Sequence, residues 1–267
     1  MALLTFDSKK SDNNCYFEDH IISDHHPLIL SILGLHIFSF NLGNANYKKY
    51  ICKNSIKSFF IFNKIYNYDI ICLQEVDIKS DIFNFLCNLL NTYKITFIKI
   101  GVNNYNVTLF KDYNDLFTIK SIDTINITDH IKKRFLVTEY YIFDYFYNFK
   151  NNITVYNCKF PTYPFNRNYK EKIDTWNICI AIAQEMVKNI EKILINSYNS
   201  QLIIIAGDFN INNKNLNDIH TILKERNIKF TNYLDILLIL RKKYDNSSIN
   251  LELGWNDLIF TISYNPT

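Results

Sequence analysis

The sequence is poor in the residues that interrupt regular structure. Its 267 residues include only 5 glycines and 4 prolines, and no block of the sequence recurs at a fixed period. Disordered, collagen-like and solenoid chains have the opposite features, so these classes are excluded. A chain of this length that is 48% hydrophobic and 16% aromatic can bury a large core. We therefore expect a single α/β domain over residues 1–267.

Excess charge, cysteine pairs and long apolar runs are also scarce. The 29 basic and 26 acidic residues give a formal charge of +3, too small to identify a polyanionic partner. The 6 cysteines form no CxxC pair and lie mostly in apolar runs, which favours reduced thiols in an intracellular compartment, cytoplasm or nucleus. No apolar run approaches the roughly 20 residues of a membrane span, and MALLTFDSKK lacks the features of a secretory signal. We expect a soluble protein without a membrane partner.

Hydrophobic periodicity predicts strands and helices mixed along the whole chain, with no linker between two halves. The apolar runs 28–33 and 35–40 are separated only by Gly34, which predicts a β-hairpin. Residues 233–240 fit either a helix or a strand. Helices are predicted over 48–67, 80–91, 168–196 and 214–225, and further strands over 68–73, 93–100, 105–110, 134–143, 152–158, 201–206 and 257–263.

Polar residues stand at the ends of three apolar strands. Asn41 follows HisIlePheSerPhe, Glu75 follows IleIleCysLeuGln, and Asp208 and Asn210 follow LeuIleIleIleAlaGly. One such residue alone is usually a solvated cap, but here a fourth segment, Ser23-Asp24-His25-His26-Pro27, places an imidazole beside an acid. Carboxylate and amide oxygens suit Mg²⁺, and histidine beside an acid suits proton transfer. Together they indicate a metal-dependent catalytic site.

Four segments resemble the signature motifs of the endonuclease/exonuclease/phosphatase superfamily, which includes DNase I, exonuclease III and deadenylases. They are AsnLeuGly at 41–43, CysLeuGlnGlu at 72–75, GlyAspPheAsn at 207–210 and SerAspHis-x-Pro at 23–27. The resemblance extends over nearly the whole chain. It implies a four-layer α/β sandwich with two mixed sheets face to face and helices outside, which uses Mg²⁺ or Mn²⁺ to cleave phosphate esters.

The order of the motifs departs from the family. There, SerAspHis lies in the last strand, whereas here residues 23–27 precede the first strand. Residues 255–263 resemble the family's penultimate motif, in which Asp257 opens a strand. The resemblance therefore implies a circular permutation in which residues 1–33 supply the strand that is C-terminal in the family. New chain ends are tolerated at surface loops. The alternative is that the segment at 23–27 occurs by chance.

The resemblance also implies a role for each matching residue. Glu75 is the main expected metal ligand, with Asn41 beside it and Asp24 supporting the same Mg²⁺, or Mn²⁺ in its place. The family's further acid after the first-strand asparagine is absent here, because Gly43 and Asn44 occupy those positions. This departure argues against a second direct carboxylate ligand.

Four residues are expected to carry the reaction itself. The resemblance implies that Asp208 orients or deprotonates the attacking water and that Asn210 positions the water and the phosphate. His25 is expected to bind the scissile phosphate or share in proton transfer, held in its tautomer by Asp257. His26 points to the opposite face of a strand, so we favour His25.

Substrate contacts are the least certain part of the resemblance. Where many members end a strand with histidine, this sequence has Lys159, which can donate to a phosphate but cannot act as a base. Tyr163 and Arg167, in the loop that follows, are candidates to bind substrate. The basic runs 132–134 and 241–243 are either nucleic-acid contacts or solvated surface.

The leading hypothesis is a monomeric, metal-dependent phosphodiesterase that acts on DNA or RNA. The first alternative is a phosphomonoesterase or phospholipase of the same superfamily. The second is a pseudoenzyme that binds nucleic acid without cleaving it. Binding alone does not need the set formed by Glu75, Asp208, Asn210 and His25, which argues against the pseudoenzyme.

Overall fold

The computed structural model describes residues 15–17, 20–23, 25–32, 34–43, 53–100, 103–112, 117–123, 135–143, 150–196, 200–244, 252–253 and 257–264. Its strands are β1 Cys15–Phe17, β2 His20–Ser23, β3 Leu28–Ile32, β4 Leu35–Asn41, β5 Ile70–Val76, β6 Tyr93–Lys99, β7 Tyr105–Lys111, β8 Phe117–Asp123, β9 Phe135–Phe143, β10 Lys150–Lys159, β11 Gln201–Asp208, β12 Glu252–Leu253 and β13 Asp257–Tyr264. Its helices are α1 Lys53–Phe62, α2 Asp81–Leu89, α3 Tyr169–Ile195, α4 Asn213–Glu225 and α5 Tyr233–Tyr244, with a 3₁₀ turn at Ile65–Asn67.

Two mixed sheets form the body of the described chain. One has five strands in the order β3-β4-β5-β7-β6, and the other has six in the order β12-β13-β11-β10-β9-β8. Each sheet contains one parallel pair, β4 with β5 and β10 with β11. Parallel neighbours need a crossover, and α1 and α3 lie in these two connections. Each sheet therefore presents the carboxyl ends of two adjacent strands at one edge.

Three clusters of buried apolar side chains separate four layers. The cluster between the sheets draws on both of them, with Leu30 and Ile37 from one and Val155 and Ile204 from the other. The helices α1 and α2 pack on the outer face of the five-stranded sheet, and α3, α4 and α5 pack on the six-stranded sheet. This arrangement confirms the predicted α/β sandwich of two mixed sheets with outer helices.

The sequence pattern accounts for these layers. All side chains of β5 and β11 are buried, as expected for apolar strands covered on both faces. In α3, Cys179, Ala183, Met186 and Ile190 are buried at three- to four-residue spacing, the pattern of a helix with one apolar face. The side chain of Asn168 caps α3 by accepting from the Glu171 amide at 3.0 Å.

The predicted hairpin is confirmed. The strands β3 and β4 pair antiparallel, with Ile32 opposite Leu35. Gly34 in the turn has a φ of 80°, a left-handed conformation that glycine adopts without steric cost.

Two other expectations differ from the structure. The helix predicted over 48–67 ends at Phe62, because the chain turns at Lys64, where φ is 47°; residues 48–52 lie outside the described part. The ambiguous segment 233–240 is helical, since Tyr233, Leu237 and Leu240 share the face buried against the six-stranded sheet.

None of the described helices has the length and apolarity that crossing a membrane requires. A single domain over the whole chain stays a prediction.

Candidate active site

The predicted site residues meet at one edge of the sandwich. Asn41 ends β4, Glu75 is next to last in β5, and Lys159 and Asp208 end β10 and β11. Asp257 opens β13 directly opposite Asp208. The site is thus built from the carboxyl ends of both parallel strand pairs, the usual location of ligand sites in α/β proteins. We call Asn41, Glu75, Lys159, Asp208, Asp257 and His25 the strand-end cluster.

The amide of Asn41 lies at the centre of this cluster. Its Nδ2 donates to Asp208 Oδ2 at 2.9 Å and lies 3.5 Å from Glu75 Oε1 and 3.2 Å from His25 Nε2. Its Oδ1 accepts from the Gly43 amide at 2.9 Å, which fixes the orientation of the side chain. Side chains from both sheets and from the segment before β3 therefore converge on one point.

His25 and Asp257 form the contact that was predicted across the length of the chain. His25 Nδ1 lies 2.9 Å from Asp257 Oδ2, although 232 positions separate them. In the neutral imidazole, an Nδ1–H that donates to the carboxylate leaves the lone pair on Nε2, which faces Asn41 Nδ2. The Ser23 hydroxyl, to which sequence reasoning assigned no role, accepts from the His25 amide at 3.1 Å and donates to the Asn41 carbonyl at 2.6 Å. It ties the segment before β3 to the end of β4.

Lys159 is placed differently from the sequence-based expectation of a phosphate contact. Its side chain is buried, with Nζ 2.6 Å from Glu75 Oε1 and also paired with Asp208 Oδ2. Burial alone lowers the pKa of Lys159, but the carboxylates of Asp208 and Glu75 outweigh it and raise the pKa above its usual value. The cluster therefore contains a permanent ammonium ion.

The two aspartates have opposite pKa shifts. Burial raises the pKa of Asp208, but Lys159, His25 and the Asn210 amide outweigh it, so the pKa falls below its ordinary value. Burial dominates for Asp257 and raises its pKa to about 6, although His25 opposes the shift. Asp208 is therefore a stable carboxylate, whereas Asp257 titrates nearer to neutrality.

Two residues of the site have left-handed backbone conformations. Glu75 has a φ of 56° and Asn210 a φ of 52°, and the register between β5 and β7 shifts between Leu73 and Val76. Such conformations cost about 1–3 kcal/mol each for residues other than glycine and are concentrated at functional sites. The surrounding sandwich holds Glu75 in an orientation that a regular strand would not give.

A close approach of two strands sets the position of Lys159 relative to Asp208. Gly207 has a φ of 137°, and a Cβ there would overlap the backbone of Cys158 on β10. The next pair in the register is Lys159 with Asp208. Glycine at 207 therefore allows the two charged side chains to leave adjacent strands side by side.

The remaining predicted residues lie in varied positions. The Asn210 amide donates to Asp208 Oδ1 and its Nδ2 donates to the Phe160 carbonyl, both at 2.8 Å, so Asn210 orients Asp208. The exposed side chain of Arg167 lies 3.7 Å from Glu171, outside the cluster. Asp24, which was expected to support the metal, lies outside the described residues, as does the basic run 132–134.

The structure bears on two of the expected substrate contacts. Tyr163 is 5% exposed, packs on the helical side of the six-stranded sheet and donates to Asp218 at 2.8 Å, so its ring is not open to a base. In the run 241–243, one side chain is buried and the other two are exposed. Arg241 is buried and donates to the Thr261 carbonyl at 2.9 Å, and Lys243 pairs with Glu191 at 2.8 Å.

The donor set fits a hard divalent cation. Glu75 Oε2 and Asp257 Oδ1 are buried and have no hydrogen-bond partner among the described residues. His25, Asp208 and Asp257 each offer one ligand atom, and these three atoms lie within 4.8 Å of one another. Buried carboxylate oxygens are costly unless a proton donor or a cation satisfies them. Oxygen ligands from carboxylates and an amide are those that Mg²⁺ and Mn²⁺ prefer.

A second polar group, which the sequence analysis missed, lies between the sheets beside this cluster. Gln74 Nε2 donates to Asn157 Oδ1 at 2.8 Å, Asn157 Nδ2 donates to the Val107 carbonyl at 2.9 Å, and Asn106 Nδ2 donates to the Asn157 carbonyl at 3.1 Å. We call Gln74, Asn106 and Asn157 the amide network. It joins the two sheets immediately before Glu75 and Lys159.

Comparisons with known proteins show the fold. No protein-family model matches the sequence, and no curated protein matches it. Among solved structures, an endonuclease/exonuclease/phosphatase family protein from Bacteroides thetaiotaomicron is 12% identical, with a TM-score of 0.50 over 89% of this chain and 83% of that one. The chain has the fold of the endonuclease/exonuclease/phosphatase superfamily.

Two further structures share this superfamily fold. A mannosyl-6-phosphatase from Bacteroides thetaiotaomicron is 11% identical, with a TM-score of 0.53 over 87% of this chain and 86% of that one. TDP2 from Caenorhabditis elegans is 14% identical, with a TM-score of 0.52 over 87% of this chain. This chain covers 64% of the length of that TDP2. The circular permutation of the fold stays a prediction.

Proposed function

We propose that this chain is a divalent-metal-dependent phosphoesterase whose substrate is a phosphodiester of DNA or RNA. The observation that carries the proposal is the convergence of His25, Asn41, Glu75, Asp208 and Asp257 at the strand ends. The cluster combines oxygens that can bind a metal, the ionised carboxylate of Asp208, and the His25 imidazole, which is hydrogen-bonded to Asp257. The superfamily fold supports the same reaction class.

The metal site is assigned to Glu75 and Asn41, with Asp24 as a further expected ligand; Asn41 would bind the ion through Oδ1, the oxygen that also accepts from the Gly43 amide. The unpartnered Glu75 Oε2 is the oxygen best placed to bind a cation. When bound, Mg²⁺ or Mn²⁺ supplies a Lewis acid that offsets charge on the phosphoryl oxygens and on the leaving oxygen.

The remaining residues act on the water and the phosphate. Asp208 is ionised because its pKa is lowered, so its carboxylate can accept a hydrogen bond or a proton from the attacking water. Asn210 holds that carboxylate in place through its backbone amide. Asp257 stabilises the protonated form of His25, whose Nε2–H can then donate to a phosphoryl oxygen.

A nucleic-acid substrate is supported by basic and aromatic side chains on segments that leave the site. Lys214, in the first turn of α4, lies 4.8 Å from the ring centroid of Phe165, and Arg167 is exposed on the same loop as Phe165. This loop follows Phe160, and α4 begins shortly after Asn210. Such groups can bind backbone phosphates and stack on bases.

Phosphomonoester hydrolysis is the second candidate. The named phosphatase shares the fold with a TM-score of 0.53, and the strand-end cluster acts on the phosphate rather than on the group attached to it. The two candidates therefore differ in the contacts beyond the cluster, where Arg167 and Lys214 lie.

The test is hydrolysis of a substrate panel by the purified chain with Mg²⁺, with Mn²⁺ and with EDTA. The panel holds labelled single- and double-stranded DNA and RNA, a 3′-tailed RNA and a chromogenic phosphomonoester. We expect metal-dependent cleavage of a nucleic acid and, for Glu75→Gln, a loss of about 10²- to 10³-fold. Glu185→Gln is the matched control, because Glu185 pairs with Lys188 on α3, outside the cluster. Equal cleavage in EDTA, or by Glu75→Gln, contradicts the proposal, and cleavage of the monoester alone selects the second candidate.

A further inference from the structure

The strand-end cluster contains a cation of its own in the position where carboxylates from the two sheets meet. The Lys159 ammonium pairs with Glu75 Oε1 from one sheet and with Asp208 Oδ2 from the other. Asp208 Oδ2 also accepts from Asn41 Nδ2 at 2.9 Å. Two oxygens that could serve as ligands of a divalent cation are therefore already bound to an ammonium.

The backbone holds this ammonium in place. Lys159 lies directly opposite Asp208 in the parallel register of β10 and β11, and the close approach at Gly207 keeps these strands together. Lys159 is buried, so its side chain has little room to reach solvent. Its charge is thus a fixed part of the site, unlike that of a surface lysine.

The charge balance of the cluster indicates what else can bind. Glu75, Asp208 and Asp257 each contribute one negative charge when ionised, and Lys159 contributes one positive charge. Together these four side chains then carry a net charge of two negative units, which one divalent cation would neutralise. Glu75 Oε2 and Asp257 Oδ1 still lack a hydrogen-bond partner among the described residues, so each is open to a cation while Lys159 stays in place.

We propose that the Lys159 ammonium competes with a divalent cation for Glu75 and Asp208, so that it limits the site to one such cation and lowers the affinity for it. This inference rests on the metal site of the proposed function. It assigns Lys159 to the electrostatics of the cation site, in place of the phosphate contact expected from the sequence.

The test is titration of the full chain with Mn²⁺ by isothermal calorimetry, at about pH 8 so that the carboxylates are ionised. We expect one ion per wild-type chain. For Lys159→Met, Mn²⁺ should bind at least about tenfold more tightly, because the Glu75 and Asp208 carboxylates no longer have the ammonium as a counterion. Lys159→Arg keeps the charge and should stay within about threefold of the wild type. The matched control is Lys172→Met, which removes a buried lysine paired with Asp218 at 2.8 Å and should leave Mn²⁺ affinity unchanged.

Lys159→Met removes the ammonium that pairs with two buried carboxylates and can therefore fail to fold. Lys159→Gln is the second variant, since its amide is neutral but can still donate to one carboxylate. For both variants the Mn²⁺-induced rise in melting temperature gives an independent readout, which should exceed the rise in the wild type.

The inference is overturned if both neutral variants bind Mn²⁺ no more tightly than the wild type, if the wild type binds two ions, or if no variant binds Mn²⁺. Activity separates it from the proposed function. Tighter Mn²⁺ binding by Lys159→Met, together with an inactive wild type across the substrate panel, supports this inference and rejects the function. Metal-dependent cleavage by the wild type, together with Mn²⁺ affinity that is unchanged in both neutral variants, does the reverse.

Discussion

Two buried polar groups lie side by side on the same strands and differ in charge. The amide network of Gln74, Asn106 and Asn157 is neutral, and it bonds largely to backbone carbonyls of the two sheets. The strand-end cluster begins one residue after Gln74 and two residues after Asn157, and it holds charged side chains such as Glu75 and Lys159. Both groups are buried to a similar degree.

The difference in charge indicates different roles. A hydrogen bond between neutral buried groups contributes about 1 kcal/mol net, so the amide network is explained by stability and by registration of the sheets. Burying ions costs several kcal/mol each before pairing, and an apolar replacement is often as stable. The strand-end cluster is therefore not explained by stability, and we attribute it to function.

The largest expected effect comes from the pair that joins distant parts of the chain. His25→Ala should lower kcat/KM by about 10²- to 10⁴-fold, because a positioned acid–base group is lost. Asp257→Asn should lose less, since the imidazole remains and only its orientation and charge support are removed. The double variant should be little worse than His25→Ala, because the two residues act as one unit. A double-mutant cycle with simply additive losses would refute the assignment of Asp257.

The second prediction concerns the protonation of Asp257 in the strand-end cluster. The amide network has no titratable group. The pKa of Asp257 is raised to about 6 in the folded chain, so the folded state binds its proton more readily than the unfolded state. The contribution of this group to stability is therefore greatest below about pH 4 and is lost as the pH rises through about 6, a total change of about 3 kcal/mol.

Urea denaturation in EDTA, at pH values across this window, measures the effect as the difference between the wild type and Asp257→Asn. Using the difference cancels the slopes of groups that do not interact with Asp257. A difference that is constant across the window would show that Asp257 does not titrate there.

The third prediction concerns the amide network. Asn157→Ala should lower the free energy of unfolding by about 2 kcal/mol, because the bonds to Gln74 and Val107 that link the sheets are lost. kcat/KM should change by less than about tenfold, since no charge is removed. Asn196→Ala, at an exposed helix end, is the control and should stay within about 0.5 kcal/mol. An activity loss comparable to that of His25→Ala would remove the distinction between the two groups.

The smallest effect is expected for Gln74→Met. Gln74 Oε1 is buried without a partner among the described residues, so its removal partly offsets the lost bond from Nε2 to Asn157. The net loss in unfolding free energy should be about 1 kcal/mol, measured in the same denaturation experiment. A larger loss together with weaker Mn²⁺ binding would instead show that Gln74 positions the neighbouring Glu75.

Sequence reasoning worked where the pattern is local. Asn41, Glu75 and Asp208 were found because each follows an apolar run, and a buried strand that ends in a polar side chain is visible within a short stretch of sequence. The same reasoning found β3 and β4, which are separated by one glycine. The strand β8 was missed because Phe117–Asp123 alternates weakly and contains two charged residues.

Contacts between distant segments were predictable only where the family resemblance supplied them, as for His25 and Asp257, and the others were missed. The pairing of Lys159 with Asp208 follows from the register of β10 and β11, and its pairing with Glu75 follows from the stacking of the two sheets. Tyr163 was a candidate to bind substrate because it lies in the loop after β10, yet its ring centroid lies 6.4 Å from that of the buried Trp176. Asn157 stands within an apolar run that gives no sign of its partners on the other sheet.

No residue other than glycine fits at position 207 without moving a strand. Adding even a methyl group would force β10 away from β11, and the displacement would be transmitted to Lys159 and Asp208, the next pair along. The spacing between these charges therefore depends on the absence of a Cβ atom at residue 207. A mutagenesis library can vary the chemistry of this site through its side chains, but only while residue 207 is kept as glycine.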